Sequence, residues 1–149
     1  MDKEVMIRIN GMQFTDIGGQ QEPVEVISPG KYYFKNGHHY LLFEDVEDNY
    51  NNKSENLMKF RDSYLEVTKK GSVNARLIFE KDKKTKSQYG TPFGMLNIGI
   101  STTAVNLKEK EDSIEVTANY ALEINDAFIA DCSISLTAQS KAADLGLTS

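Results

Sequence analysis

Three residues in the middle of the chain have side chains that could bind an anion. Arg61 and Arg76 carry guanidinium groups, and Tyr64 follows Arg61 closely in sequence. A guanidinium binds a carboxylate or phosphate through paired hydrogen bonds, so these residues could hold an acidic metabolite if they line a cavity. Within its segment, Arg76 falls at the alternate positions that carry polar residues rather than at those that carry apolar ones. An ordinary surface position, pointing outward, is therefore the favoured alternative.

A second candidate site is the segment 88–94, which reads QYGTPFG. Pro92 fixes its own φ and biases the preceding residue to an extended conformation, while Gly94 permits backbone conformations closed to other residues. The segment could form a shaped lip of a ligand site. The residues assigned to a ligand in this segment are Tyr89, Thr91 and Phe93, and Tyr120, from the later segment 113–124, is a further candidate. A structural corner is the favoured alternative, because proline and glycine chiefly mark turns.

The sequence gives little support to metal or nucleophilic chemistry. His38 and His39 are the only histidines. Adjacent residues of a strand point to opposite faces, so the two do not readily share a metal. Cys132, the only cysteine, lies on the apolar side of its segment, which is typical of a buried thiol. We therefore expect no metal, no cofactor and no catalytic residue.

Length, composition and charge limit the classes of protein to which the chain could belong. The chain has 149 residues, of which 40% are hydrophobic and 26% charged, as in one soluble globular domain. Its formal net charge of −5 opposes phosphate binding, so no nucleic-acid partner is expected. No secretory leader or long apolar run is recognisable, which predicts a cytoplasmic protein without membrane contact.

Alternation of apolar and polar residues dominates the chain and indicates β-strands. The segments 113–124 and 127–138 alternate almost without interruption, and Asn125-Asp126 between them predicts a tight hairpin turn. Between residues 96 and 107 the apolar phase shifts, which predicts a β-bulge near Thr103–Ala104. Helical character is confined to residues 141–147.

Long, hairpin-linked strands with a mid-strand bend favour a closed barrel, because closure removes exposed strand edges. We predict one all-β domain over residues 1–140, a mostly up-and-down antiparallel β-barrel of about eight strands. A tail, 141–149, should form a short helical turn or be disordered. Further turns are predicted at 28–30, 36–37, 69–71 and 109–113, and a charged loop at 81–86. The predicted inner wall comprises Ile98, Ile100, Ile114, Val116, Tyr120, Phe128, Ile134 and Leu136.

The chain also resembles a family of uncharacterised bacterial proteins. The segment 88–94 resembles the Tyr-x-Thr-Pro-aromatic-Gly signature of the YwiB-like proteins, and residues 69–71 and 39–44 resemble the family's basic-x-Gly turn and aromatic strand. Phe93 and Lys69 depart from the tyrosine and arginine expected there. The resemblance implies a calycin-like (lipocalin-like) barrel and, by analogy with calycins, a ligand cavity. It implies no activity, since fold does not determine function.

Three functions remain open. The first is a non-enzymatic barrel, monomeric or dimeric, that binds a small, partly apolar molecule inside or at its mouth. The second is a protein-interaction module with a solid barrel, whose exposed tyrosines would be Tyr32, Tyr33 or Tyr50. The third is an enzyme without a recognised motif, acting on a phosphorylated or acidic metabolite through Arg61 and Arg76. A ligand pocket of about 300–1,000 Å³ would favour the first.

Overall fold

A single antiparallel sheet curls into a barrel. The computed structural model describes residues 3–11, 24–46, 53–71, 74–91 and 94–141, and these form ten strands. The strands are β1 (Glu4–Gly11), β2 (Val24–Lys35), β3 (His38–Val46), β4 (Lys53–Arg61), β5 (Tyr64–Lys70), β6 (Ala75–Glu80), β7 (Lys83–Thr91), β8 (Gly94–Glu109), β9 (Ser113–Ile124) and β10 (Ala127–Ser140). Their order in the sheet is β6-β5-β4-β3-β2-β1-β10-β9-β8-β7.

The barrel is nearly closed at a seam between β6 and β7, the outermost strands of the sheet. The turn Lys81-Asp82 joins them at one end. At the other end the backbones of Asn74 and Gly90 exchange two hydrogen bonds of 3.0 and 2.8 Å. The predicted all-β antiparallel barrel is therefore confirmed, but about eight strands was an underestimate.

The sequence analysis did not predict β2 and β7 as continuous strands, because part of each has the composition of a turn or a charged loop. The predicted turn at 28–30 is wrong, because Pro29 lies inside β2 and pairs with Met6 of β1. Proline lacks an N–H group, and the β2–β3 ladder accordingly extends only from Lys35 to Lys31. The predicted loop at 81–86 is also wrong beyond its first two residues. β7 begins at Lys83, and its three lysines are exposed to solvent.

Several local predictions are confirmed. Asn36, Asn125 and Asp126 have φ values of 53°, 50° and 67°, as tight hairpin turns require. The β8–β9 register shifts between Thr102 and Ala104, where the apolar phase changes in the sequence. The segment 109–113 also connects two strands as predicted.

Apolar side chains fill the barrel interior. The largest fully buried ones are Phe60, Phe79, Ile7, Leu41, Leu65, Ile98, Ile100 and Leu136. The assignment of Phe128 to the inner wall is wrong, since its side chain is 63% exposed. A bulge between Phe128 and Ala130 shifts the β9–β10 register, so these two residues face opposite sides despite their equal parity.

The predicted tail lies almost entirely outside the described residues, which end at Lys141. Within the described ranges, no helix has the length and apolar character needed to span a membrane.

Candidate ligand-binding site at the barrel mouth

One end of the barrel, here called the mouth, gathers polar side chains from strands distant in sequence. The β2–β3 turn at residues 36–37 and the β8–β9 connection at 110–112 both lie at this end. Phe34 and His39 pair directly across β2 and β3. Glu109 ends β8 opposite Ile114, a buried residue of the inner wall. Paired residues point to the same side of a sheet, so the Glu109 side chain leaves the backbone on the inner face of the sheet.

Tyr32, His39 and Glu109 form a hydrogen-bonded chain across the mouth. The Tyr32 hydroxyl lies 2.7 Å from His39 Nδ1. On the other side of the ring, His39 Nε2 lies 3.0 Å from a carboxylate oxygen of Glu109. These three residues will be called the mouth triad. Because β3 and β8 are far apart in the sheet, the His39–Glu109 contact exists only when the sheet curls.

His39 is enclosed by aromatic rings and is only 5% exposed. Its ring stacks on Phe60 at a centroid distance of 5.3 Å and contacts Phe34 at 4.8 Å. Burial lowers the pKa of His39 below its usual value, while the Glu109 carboxylate acts in the opposite direction. Burial also raises the pKa of Tyr32, and the negative charge of Glu109 adds to that effect.

The lowered pKa of His39 favours its neutral form and one tautomer. With the proton on Nε2, His39 donates to Glu109, and Nδ1 accepts from the Tyr32 hydroxyl. The arrangement orients the imidazole as histidine–carboxylate pairs commonly do. Chemically, the triad can accept a proton at Nδ1 or present polar groups to a molecule bound beside it.

The mouth triad borders an open recess of about 550 Å³. The recess is lined by Lys3, Tyr32, Tyr33, Phe34, His39 and Glu109. Phe34 contributes an apolar surface that is 60% exposed, and Phe60 closes the floor beneath His39. The Lys3 ammonium group lies 5.0 Å from the Tyr33 ring centroid and supplies a positive charge at the rim. The recess thus combines an apolar shelf with several polar groups.

A larger groove of about 670 Å³ lies where β2 separates from β3. Its charged side chains, Lys31, Glu44, Glu55 and Lys70, are all exposed. At the mouth, burial lowers the pKa of His39 and raises that of Tyr32. Perturbed groups concentrate at functional sites, so we take the mouth as the candidate site.

Arg61, Tyr64 and Arg76 come together in the structure, but on the outer wall. The guanidinium carbon of Arg61 lies 5.0 Å from the Tyr64 ring centroid. The Tyr64 hydroxyl donates to Glu66 at 2.6 Å, and Arg76 donates to the same carboxylate oxygen at 3.2 Å. Burial, followed by the hydrogen bond to Glu66, raises the pKa of Tyr64 to about 12. These contacts satisfy the groups among themselves and leave them outside the barrel.

The remaining predicted site residues do not reach the mouth. Tyr89 is buried on the inner face of β7 and pairs with Leu96. Thr91 ends β7, and Phe93 lies outside the described residues. Tyr120 is buried against Phe79 at a ring distance of 4.8 Å, and burial raises its pKa. The sequence candidates therefore occupy three separate places.

The sequence analysis missed the mouth triad. It weighed His39 only as a metal ligand and placed Glu109 in a turn. Among the described residues, no three His, Cys, Asp or Glu side chains cluster as a metal site would require. One signal was available: His39 shares its parity with Leu41 and Phe43, which indicates an inward-facing, buried imidazole.

Comparison with known proteins identifies the family but no activity. Residues 7–136 match a domain of unknown function, DUF1934. The chain is 24% identical, over 85% of its length and 87% of the other, to the uncharacterized beta-barrel protein YwiB of Bacillus subtilis (strain 168). The crystal structure of ywiB protein from Bacillus subtilis superimposes with a TM-score of 0.74 and 19% identity, covering 93% of this chain and 92% of that one. This protein therefore belongs to the DUF1934 family of β-barrel proteins.

Proposed function

We propose that this protein binds a small, partly apolar molecule at the mouth of its barrel. The observation that carries the proposal is the mouth triad, whose buried His39 lies beside the exposed ring of Phe34 in a recess of ligand size. The interior below the mouth is packed with apolar side chains. We therefore place the ligand at the mouth rather than deep in the barrel.

The buried imidazole supports a binding role. Burying a polar group costs free energy, and an apolar residue stacked on Phe60 would avoid that cost. His39 instead depends on hydrogen bonds to Tyr32 and Glu109. A ligand could lay an apolar body on Phe34 and direct a polar group to Lys3 or to the triad. The cytoplasmic location expected from the sequence remains a prediction.

The test compares two exposed phenylalanines. Phe34, at the mouth, is 60% exposed, and Phe128, on the outer wall of β10, is 63% exposed. Wild-type protein, Phe34→Ser and Phe128→Ser should each be purified gently from a bacterial lysate and analysed by native mass spectrometry. We expect a discrete excess mass on the wild type and on Phe128→Ser, lost on denaturation and absent from Phe34→Ser.

A second probe is ANS, an anionic aromatic dye that matches the shelf and the rim charge. Its fluorescence should rise with the wild type and Phe128→Ser and fall markedly with Phe34→Ser. A bare 16.7 kDa species that also fails to bind ANS would refute the proposal and favour the interaction module. Equal binding by both phenylalanine variants would place the ligand elsewhere and refute the mouth as its site.

A further inference from the structure

Cations lie over aromatic rings on one wall of the barrel. Among the described residues there are three such pairs: Lys3 over Tyr33 at 5.0 Å, Lys59 over Tyr40 at 5.9 Å and Arg61 over Tyr64 at 5.0 Å. The three tyrosines belong to β2, β3 and β5, which form a continuous stretch of sheet with β4, and all lie on the outer face. We call these six residues the cation–tyrosine wall.

The strand register arranges this wall in two adjacent rows. Tyr33 pairs with Tyr40, and Tyr40 pairs with Lys59 across β3 and β4. In the next row toward the mouth, Arg61 pairs with Tyr64. The His38 ring bridges the rows, with centroids 6.5 Å from Tyr40 and 6.4 Å from Tyr64. Rings and cations are therefore interspersed over a continuous surface about four strands wide.

The carboxylates beside this wall are already engaged by other groups. Glu66 is bound by Arg76 and Tyr64, and its side chain is only 12% exposed. Glu80, which pairs with Tyr64, lies 3.4 Å from the Lys83 ammonium group. Lys35 adds a further exposed cation beside Tyr33. The wall therefore offers cations to an anionic partner although the whole chain has a net charge of −5.

We propose that the cation–tyrosine wall binds single-stranded nucleic acid. Interspersed rings and cations offer both contacts that a single strand uses, because aromatic rings stack on bases and cations neutralise the backbone. A duplex offers phosphates but keeps its bases stacked within itself. An acidic peptide offers charge but need not use the rings. The combination of the two residue types favours a single strand, contrary to the expectation from overall charge.

The binding test uses the full chain and a fluorescently labelled oligouridine of about 12 nucleotides, within the usual site size. Fluorescence anisotropy at low salt should show saturable binding by the wild type, weakening as salt rises. Lys59→Gln should make the salt dependence of log K shallower by roughly 0.7, the change expected for one lost phosphate contact with a single strand. Tyr40→Ala should weaken binding roughly tenfold, and Tyr40→Phe, which keeps the ring, should not.

Matched controls come from the opposite side of the barrel. Lys108→Gln on β8 removes an exposed cation, and Phe128→Ala on β10 removes an exposed ring, and neither should alter binding. Circular dichroism and denaturant unfolding confirm that each variant folds. Phe34→Ser at the mouth should also bind oligouridine normally, because only Lys3 and Tyr33 belong to both the recess and the wall.

Three results would overturn the proposal. Failure of the wild type to bind oligouridine at low salt would do so directly. Equal affinity for a duplex RNA of the same length would show that base stacking has no part. Equal affinity for poly-glutamate, with Tyr40→Ala unaffected, would instead assign the wall to an acidic protein partner.

Discussion

Lowering the pH through the neutral range should destabilise the barrel through His39. Burial holds the pKa of His39 below its usual value of 6.5 in the folded protein, despite the opposing charge of Glu109. In the unfolded chain the imidazole is solvated and takes up its proton at the usual pH. As the pH falls past about 6.5, the unfolded state therefore binds a proton before the folded state does. Stability contributed in this way is complete above that pH and declines below it.

The expected loss of stability is limited because it comes from the uptake of a single proton by His39. A single group that is protonated only in the unfolded state changes the free energy of unfolding by at most about 1.4 kcal/mol per pH unit. Glu66 also has a lowered pKa, but it affects stability in a separate, more acidic pH range. Burial alone would raise the pKa of Glu66, but hydrogen bonds from Arg76 and Tyr64 hold it below 4.5. Stability from Glu66 is therefore lost only at more acidic pH.

The assay is denaturant unfolding at a series of pH values between about 7.5 and 5.5. The two histidines provide a matched pair of variants, His39→Gln and His38→Gln. The His38 side chain is part-exposed and bonds to the Asn36 carbonyl oxygen outside the mouth. We expect His38→Gln to keep the decline in stability at lower pH and His39→Gln to flatten it.

NMR titration gives a direct check that does not require the His39→Gln variant to fold. The chain has only two histidines, so His38→Gln assigns the remaining imidazole signal to His39. That signal should titrate below the usual histidine range. A His39 pKa at or above 6.5, or a pH profile unchanged in His39→Gln, would refute the account of a buried neutral imidazole in the triad.

Three further predictions concern the barrel itself. Phe60→Ala should lower the free energy of unfolding by about 3–5 kcal/mol because Phe60 is fully buried, whereas Phe128→Ala should change it by less than about 0.5 kcal/mol; equal effects in denaturant unfolding would contradict the assigned core. Gly30→Ala should cost roughly 1–3 kcal/mol in the same assay, since an added Cβ would lie 2.3 Å from Ile7 Cδ1, and an unchanged midpoint would be inconsistent with that packing. Cys132 should react with a thiol reagent only slowly until the protein unfolds, because it is buried and burial raises its pKa; rapid labelling of native protein would disagree.

Local chemistry made part of the fold predictable. Tight turns need residues that tolerate positive φ, and Asn125-Asp126 supplied that signal without tertiary information. The apolar phase shift near Thr103 likewise located a bulge. The bulge between Phe128 and Ala130 was not predicted because both residues are apolar. The change of face between them therefore does not alter the alternation of apolar and polar residues. Pro29 led to a wrong turn prediction. At Pro29, β2 has already separated from β3, so no ladder hydrogen bond requires the N–H group that proline lacks.

The candidate site was less predictable than the fold because it depends on barrel closure. Tyr32 and His39 come from adjacent strands, and the parity of His39 indicated burial. Glu109 lies 70 positions beyond His39, and no periodicity tells which residues meet across a barrel. The YwiB-like resemblance led to the correct family. It directed attention to residues such as Tyr89 and Thr91, in the part of β7 farthest from the mouth.

The sequence by itself determined the strands, their hairpin connections and the all-β barrel class, because alternation and turn chemistry are local properties of the chain. It also determined the net charge of −5. Only the tertiary structure decided which side chains meet at the mouth and which cations lie over the tyrosine rings. Both depend on strand register and curvature, which bring residues such as His39 and Glu109 together only after the sheet has closed.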